Sequence, residues 1–177
     1  ARLVGKRGRV YAFEPHESYY NRFLENVRSN RFRNITAENV GISDREGTSV
    51  LFEANLGSSF IRDNAKASSA KQVRRNAMLM ALDTYMKRHR VGNVRLLKID
   101  TEGMELSVIR GSKRLLRRSD APDLILEVVD RLLRNAGTNR NELIRTLKNL
   151  GYKPFRITES GDIVPYSERE PGQSLNM

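Results

Sequence analysis

Leu96-Leu97-Lys98-Ile99-Asp100-Thr101-Glu102-Gly103-Met104-Glu105 is the stretch that decides the reading of this chain. Val94 to Ile99 is a short run of branched apolar residues without clean alternation, the pattern of a strand buried on both faces. The run stops at Asp100. Thr101 to Glu105 reads as a turn that Gly103 allows to be tight. A helix-compatible stretch starts near Met104, with Leu106 and Ile109 as apolar positions. In open α/β sheets ligands gather in the crevice outside the carboxyl ends of the strands. Asp100 and Glu102, with Lys98 beside them, are therefore candidate site residues. Carboxylates in this place also serve as caps for free helix N–H groups and for the helix dipole, and the stretch alone does not separate the two roles.

Working outward, Arg9 to Phe13 is an earlier strand candidate, closed by Glu14-Pro15, because proline cannot continue a central strand. Before it, Ala1 to Val4 reads as the end of a helix, and Gly5 and Gly8 flank Lys6-Arg7 as a cap and turn. Glu17 to Asn30 is an amphipathic helix with Tyr20, Phe23, Leu24 and Val27 on one face. Ile35 to Val40 is a second strand. Gly41-Ile42-Ser43-Asp44 and Glu46-Gly47 mark turns, and Ser49 to Glu53 is a short third strand. Asn55 to Arg75, rich in serine and bases, reads as a long excursion of the kind that forms lids and binding loops. Ala77 to Leu82 restores order, and Asp83 to Arg90 is a short helix before the focal strand.

After the focal stretch, Arg110, Lys113, Arg114, Arg117 and Arg118 form a basic helical face that Gly111 interrupts. Asp123 to Val128 is another buried-type strand, with Glu127 near its end, facing either the cleft or solvent. Asn139 with Glu142 resembles a capping box ahead of Leu143, Ile144, Leu147 and Leu150, and Gly151 is a natural C-terminal cap. Tyr152 to Ile157 and Asp162 to Pro165 form a hairpin across Ser160-Gly161. One domain over residues 1–167 and a loose tail, Glu168 to Met177, are expected. Alternating strands and helices imply a mostly parallel sheet covered by helices, with an antiparallel C-terminal hairpin.

Composition narrows the chemistry. The 177 residues include no cysteine, which excludes disulfides, thiolate catalysis and cysteine–zinc sites. The two histidines, His16 and His89, belong to no ligand-spaced cluster, so no metal site is expected. No apolar run is long enough to span a membrane and no secretory signal opens the sequence, so a cytoplasmic location is expected. The net charge of +11 allows a polyanionic partner, nucleic acid among them, or only a solvated basic surface.

Glu14 adds a second carboxylate at a strand end. In nucleotide-binding α/β folds such a residue hydrogen-bonds ribose hydroxyls, a task that suits the two acceptor oxygens of a carboxylate. The combination of Val10-Tyr11-Ala12-Phe13-Glu14-Pro15, Asn26 and Asn30, Gly41-Ile42-Ser43-Asp44 with Gly47, Leu82-Asp83, Leu97 to Gly103 with Glu105 and Gly111, then Pro122 and Glu127, resembles the FkbM family of S-adenosylmethionine-dependent methyltransferases. The resemblance spans about Gly5 to Val128. It implies a Rossmann-like class I methyltransferase fold and O-methylation of a hydroxyl on a sugar, glycan or polyketide-like small molecule.

Carried over by position, Glu14 binds the cofactor ribose, Gly41, Ser43 and Asp44 lie near the adenine, and Asp100 lies near the methionine moiety. Lys98 and Glu102 shape the site, and Asp100 or Glu102 either removes the acceptor proton or only positions the cofactor. The pattern departs from the family ahead of Glu14. Such enzymes carry a first strand and a glycine-rich acidic turn there, and Gly5-Lys6-Arg7-Gly8 corresponds to the connection into the second strand. The expectation is a missing first strand, an N-terminal truncation, and an unstable or inactive fragment. An RNA or DNA methyltransferase on the same fold is an alternative suggested by charge, although signatures such as Asn-Pro-Pro-Tyr are absent. A non-catalytic binding module that has lost the cofactor loop is another.

Overall fold

The computed structural model describes residues 1–54, 57–64, 73–167 and 175–176. In chain order the elements are β1 (Val10–Phe13), α1 (Glu17–Ser29), β2 (Ile35–Glu38), β3 (Gly41–Ile42), β4 (Gly47–Ala54), β5 (Gly57–Ser59), β6 (Val73–Met80), α2 (Leu82–Arg88) and β7 (Leu96–Ile99). Then come α3 (Glu105–Gly111), α4 (Lys113–Leu116), β8 (Asp123–Val128), α5 (Asp130–Asn135), α6 (Arg140–Asn149), β9 (Phe155–Ile157), β10 (Ile163–Pro165) and β11 (Leu175–Asn176).

The helices form where periodicity and capping agree. His16 caps α1, its Nδ1 accepting from the Tyr19 amide at 3.4 Å, and Glu17 complements the dipole in the first turn. Asn139 caps α6 by accepting from the Glu142 amide at 3.0 Å, while the Glu142 carboxylate accepts from the Thr138 hydroxyl at 2.7 Å. The apolar stripe Leu143, Ile144 and Leu147 is buried.

Two parallel pairs carry the acidic strand ends. β1 pairs with β2, Val10 opposite Ile35 and Phe13 opposite Glu38. β7 pairs with β8, Leu96 opposite Asp123 and Ile99 opposite Leu126. A third group is mixed: β3 runs parallel to β6, and β6 pairs antiparallel with β4, which turns back through β5. The antiparallel hairpin β9–β10 forms as expected, with Ile163 opposite Ile157.

The strands fall into three small sheets among the described residues, and the expected mostly parallel sheet is seen only as its parallel pairs. The reason is that β1 and β7 do not pair with each other and meet only through side chains. Phe13 and Leu97 both pack on the cluster of Leu82, Met86 and Leu115. Gly41-Ile42 is a strand, not a turn, because it finds a partner in Leu79 and Met80. Residues 3–7 form a turn and residues 1–2 have no regular structure, in place of the expected helix end. Order resumes at Val73, inside the expected excursion, although residues 65–72 lie outside the described part. In the expected loose tail, Leu175–Asn176 pairs with both β8 and β9, while 168–174 and 177 lie outside the described residues.

The core lies on one face of the β7–β8 pair. Ile99, Leu126 and Val128 pack with Leu106 and Ile109 of α3, Leu133 of α5 and the α6 stripe. Each fully buried aliphatic side chain there contributes about 1.5–3 kcal/mol. The other face is open: Leu96 is 53 % exposed and the Lys98 side chain 63 %. Strand alternation puts Lys98, Asp100 and Glu127 on that open face.

Candidate functional site

The turn after β7 is held in an unusual backbone shape. Glu102 has φ 52° and Gly103 φ 100°, two successive residues in the left-handed region. For glutamate this costs about 1 kcal/mol or more, so the surroundings must enforce it. They do so from two sides. Beneath, the buried Glu105 carboxylate accepts from the Thr101 amide, the Thr101 hydroxyl and the Gly103 amide, each at 3.1 Å. Above, the Glu102 carbonyl accepts from Ser59 Oγ at 3.1 Å and from Asn64 Nδ2 at 2.7 Å. Asn64 also donates to the Leu132 carbonyl at 3.0 Å and accepts from Asn135 Nδ2 at 2.7 Å. Its one amide thereby joins the β5 loop, the acidic turn and α5.

The carboxyls of this turn are differentiated. Lys98 Nζ lies 2.6 Å from Asp100 Oδ2 and holds the Asp100 carboxyl below its ordinary range. Glu127, next in register on β8, hydrogen-bonds Asp100 and is pushed up by burial and then by the Asp100 charge. Glu102 is pushed up by burial first, then by Asp100 and Glu105. One ionised aspartate thus sits between two glutamates that hold protons more tightly than usual.

Glu14 extends the β1–β2 pairing, its amide donating to the Glu38 carbonyl at 3.0 Å. Asn39 Nδ2 clips the following bend, donating to the Glu14 and Pro15 carbonyls at 2.8 and 3.2 Å. The half-buried Glu14 carboxyl is pushed up by burial, partly offset by the His16 amide that donates to its Oε1 at 2.8 Å. Oε2 has no partner among the described residues. His16 itself is buried, stacks on Tyr19 with 4.2 Å between ring centroids, and places Nε2 3.2 Å from Glu53 Oε1.

The β4–β5 hairpin brings the two strand ends together. Glu53 faces Ser58 and Phe52 faces Ser59 across it. Its Glu53 side reaches His16, two residues after Glu14, and its Ser59 side reaches Glu102. Glu14 and the acidic turn therefore lie at one edge of the molecule.

The remaining candidates lie on β3 and the bend after it. Gly41 is buried, and a Cβ there would meet the Phe60 ring at 2.7 Å. Ser43 is buried too, its amide donating to the Met80 carbonyl at 2.9 Å and its own carbonyl against Gly111. Asp44 is exposed and accepts from Ser43 Oγ at 3.3 Å. Of these three, Asp44 alone presents a functional side chain outward. Sequence reasoning missed Ser59, Asn64 and Glu53, which carry no local signal. It missed His16 as well, because histidine is not among the usual N-cap residues.

Among the described residues no group of three or more histidine, cysteine or acidic side chains is placed to hold a metal. No helix among them is long and apolar enough to cross a membrane.

Carboxylates at the ends of two parallel pairs in a mixed α/β chain lie where open α/β folds bind their ligands. A family model described as the methyltransferase FkbM domain matches residues 1–154, and the chain belongs to this family. The fold is similar to the crystal structure of methyltransferase FkbM from Methylobacillus flagellatus KT, with a TM-score of 0.52 and 18 % sequence identity. That match covers 80 % of this chain and 30 % of the other. No curated protein sequence matches the chain.

Proposed function

We propose that the chain is part of an S-adenosylmethionine-dependent O-methyltransferase that acts on a hydroxyl of a sugar, glycan or polyketide-like small molecule. The observation that carries this reading is the shared edge of Glu14 and the Asp100–Glu102 turn, joined through the β4–β5 hairpin. The donor set fits the cofactor. Glu14 offers an unpartnered carboxylate oxygen at a strand end, suited to a ribose diol, and the neighbouring carboxylates suit a sulfonium and an α-amino group. Asp44 is the outward group for the adenine, with Gly41 and Ser43 setting its backbone.

When bound, S-adenosylmethionine supplies an activated methyl group, so the protein's share is alignment and proton removal. Asp100, held ionised by Lys98, suits a fixed counter-charge better than a base. Glu102, with its raised pKa, is better matched to take a hydroxyl proton near neutral pH. The fold part of the reading is one Rossmann-like parallel sheet with room for a further strand. β1 pairs only with β2, and β7 only with β8 among the described strands, while both pack on α2.

Incubation of the protein with methyl-labelled cofactor and a panel of hydroxyl acceptors tests this. The expected product carries label in an alkali-stable ether, and Glu102→Gln removes the acid limb of the pH–rate profile. Cofactor binding with label in no hydroxyl acceptor would sink the O-methylation reading.

A further inference from the structure

We propose that the edge opposite the acidic turns is a nucleic-acid-binding surface that takes the phosphate backbone of a single strand. The loops leading into β1, β2, β7 and β8 span residues 1–9, 30–34, 89–95 and 117–122. They hold ten lysines and arginines and one acid, Asp120. The loops leaving the same four strands hold Glu14, Asp100 and Glu102 and no lysine or arginine. The net charge of +11 is therefore distributed along the strand direction.

The four leading loops are tied in pairs. Asn34 Nδ2 donates to the carbonyls of Ala1, Gly5 and Gly8, each at 3.2 Å. Arg118 Nη1 donates to the Gly92 carbonyl at 3.3 Å, and the Asp123 amide donates to the Arg95 carbonyl at 3.0 Å. The lone acid is neutralised by a two-bond contact with Arg118, both bonds 2.8 Å. Lys6, Arg7, Arg31, Arg33, Arg95 and Arg117 are exposed and make no ion pair among the described residues.

Backbone conformation supplies an independent sign that these charges serve a purpose. Arg31 and Arg90, one residue past the caps of α1 and α2, have φ 55° and 50°. Glycine adopts this position at least cost. α5 and α6, which end elsewhere, use it: Gly137 after α5 and Gly151 after α6 have φ 77° and 92°. The helix dipoles do not require the two arginines, because Arg28, Lys87 and Arg88 already occupy the last turns. Arginine is thus held at a conformational disadvantage at two points on one edge.

Guanidinium forks match phosphate oxygens. A membrane surface would in addition need apolar side chains free to insert between the bases. In the second, third and fourth loops these are partly or wholly covered: Phe32 lies under Arg2, Val91 and Val94 pack on the α2 cluster, and Pro122 is buried. In the first loop Leu3 and Val4 are exposed, two side chains among four loops, and the vesicle arm of the test below separates the two kinds of partner. The surface lies away from the acidic edge and is independent of the methyltransferase reading.

The test is fluorescence anisotropy of the purified protein with a labelled single-stranded RNA of about 20 nucleotides. Affinity should fall on the order of a hundredfold between about 50 and about 200 mM KCl. The double variant Arg31→Gly/Arg90→Gly should bind about tenfold more weakly while unfolding at the same temperature or higher. Arg33→Glu/Arg95→Glu should weaken binding further. Arg145→Gln/Lys153→Gln, which removes two exposed charges elsewhere, should stay within about twofold, since it touches no proposed phosphate contact. The proposal is overturned by absence of binding at low salt or by an equal loss in the Arg145/Lys153 control. It is also overturned by a fall in unfolding temperature for the glycine double variant, or by binding to phosphatidylserine vesicles in place of RNA.

Discussion

Asn64 Nδ2 donates to the Glu102 carbonyl at 2.7 Å, tying a loop residue to the backbone of a turn 38 positions later. The same amide spans to Leu132 and Asn135, so the turn is fixed by a residue outside its own strand and helix. Replacing Asn64 by alanine removes one of two donors from each of the Glu102 and Leu132 carbonyls and the acceptor of Asn135 Nδ2. The expected loss is about 1–3 kcal/mol, read as a lower midpoint in urea denaturation with unchanged slope.

Gly103→Ala and Gly137→Ala separate backbone strain from packing. Both glycines have positive φ, at 100° and 77°. A Cβ on Gly137 meets nothing, whereas one on Gly103 comes within 2.6 Å of the Leu132 carbonyl and 2.5 Å of Asn64 Nδ2. The Gly137 variant should lose about 1 kcal/mol from strain alone, and the Gly103 variant about 2–4 kcal/mol from strain and overlap. Chemical denaturation of the two side by side measures the difference.

Tyr85 anchors the β1–β2 pair to α2. Its ring stands edge-on to Phe13 at 4.8 Å and stacks on His89 at 4.1 Å, and its hydroxyl donates to Glu38 Oε1 at 2.9 Å. Burial first, then the bond to Glu38, pushes its hydroxyl pKa upward. Tyr85→Phe should cost about 1 kcal/mol and Tyr85→Ala about 3–5 kcal/mol. Hydrogen exchange in β1 and β2 should accelerate more in the alanine variant than exchange in β7 and β8.

Glu127 gives a pH dependence with a definite sign. Its carboxyl is raised in the folded protein by burial and by Asp100. A raised carboxyl disfavours the folded state when ionised, so its penalty is full above its folded pKa and absent below its unfolded pKa. Glu127→Gln should therefore raise the unfolding temperature at neutral pH, and the gain should shrink as pH falls through the carboxylate range. Asp130, lowered first by the Arg140 amide and then by Arg134 against the cost of burial, should behave in the opposite way. Asp130→Asn should destabilise above the unfolded aspartate pKa, with the effect vanishing in acid.

The parts of the fold legible in sequence are those with local causes. Leu96 to Gly103 reads as strand and turn because an apolar run ends on acids and a glycine. α6 is legible because Asn139 and an apolar stripe announce it. Gly41-Ile42 was not legible as a strand, since its pairing with Leu79 and Met80 joins residues far apart in sequence. Leu175 and Asn176 pair with β8 and β9 for a similar long-range reason. In the site, Glu14, Asp100 and Glu102 stood out because charge at a strand end is a local mark. Ser59 and Asn64 did not, because their role is a contact with a distant carbonyl. The left-handed backbone of Glu102 was hidden as well, since that residue type seldom adopts it.

Calorimetric titration of S-adenosylmethionine into the protein and its Glu14→Ala variant tests the central claim most directly. One-site binding by the protein is expected, weakened about tenfold to a hundredfold in the variant through loss of hydrogen bonds to a charged acceptor. Equal affinity in the two proteins, or no heat with either, would contradict a cofactor crevice built on the carboxyl ends of β1 and β7.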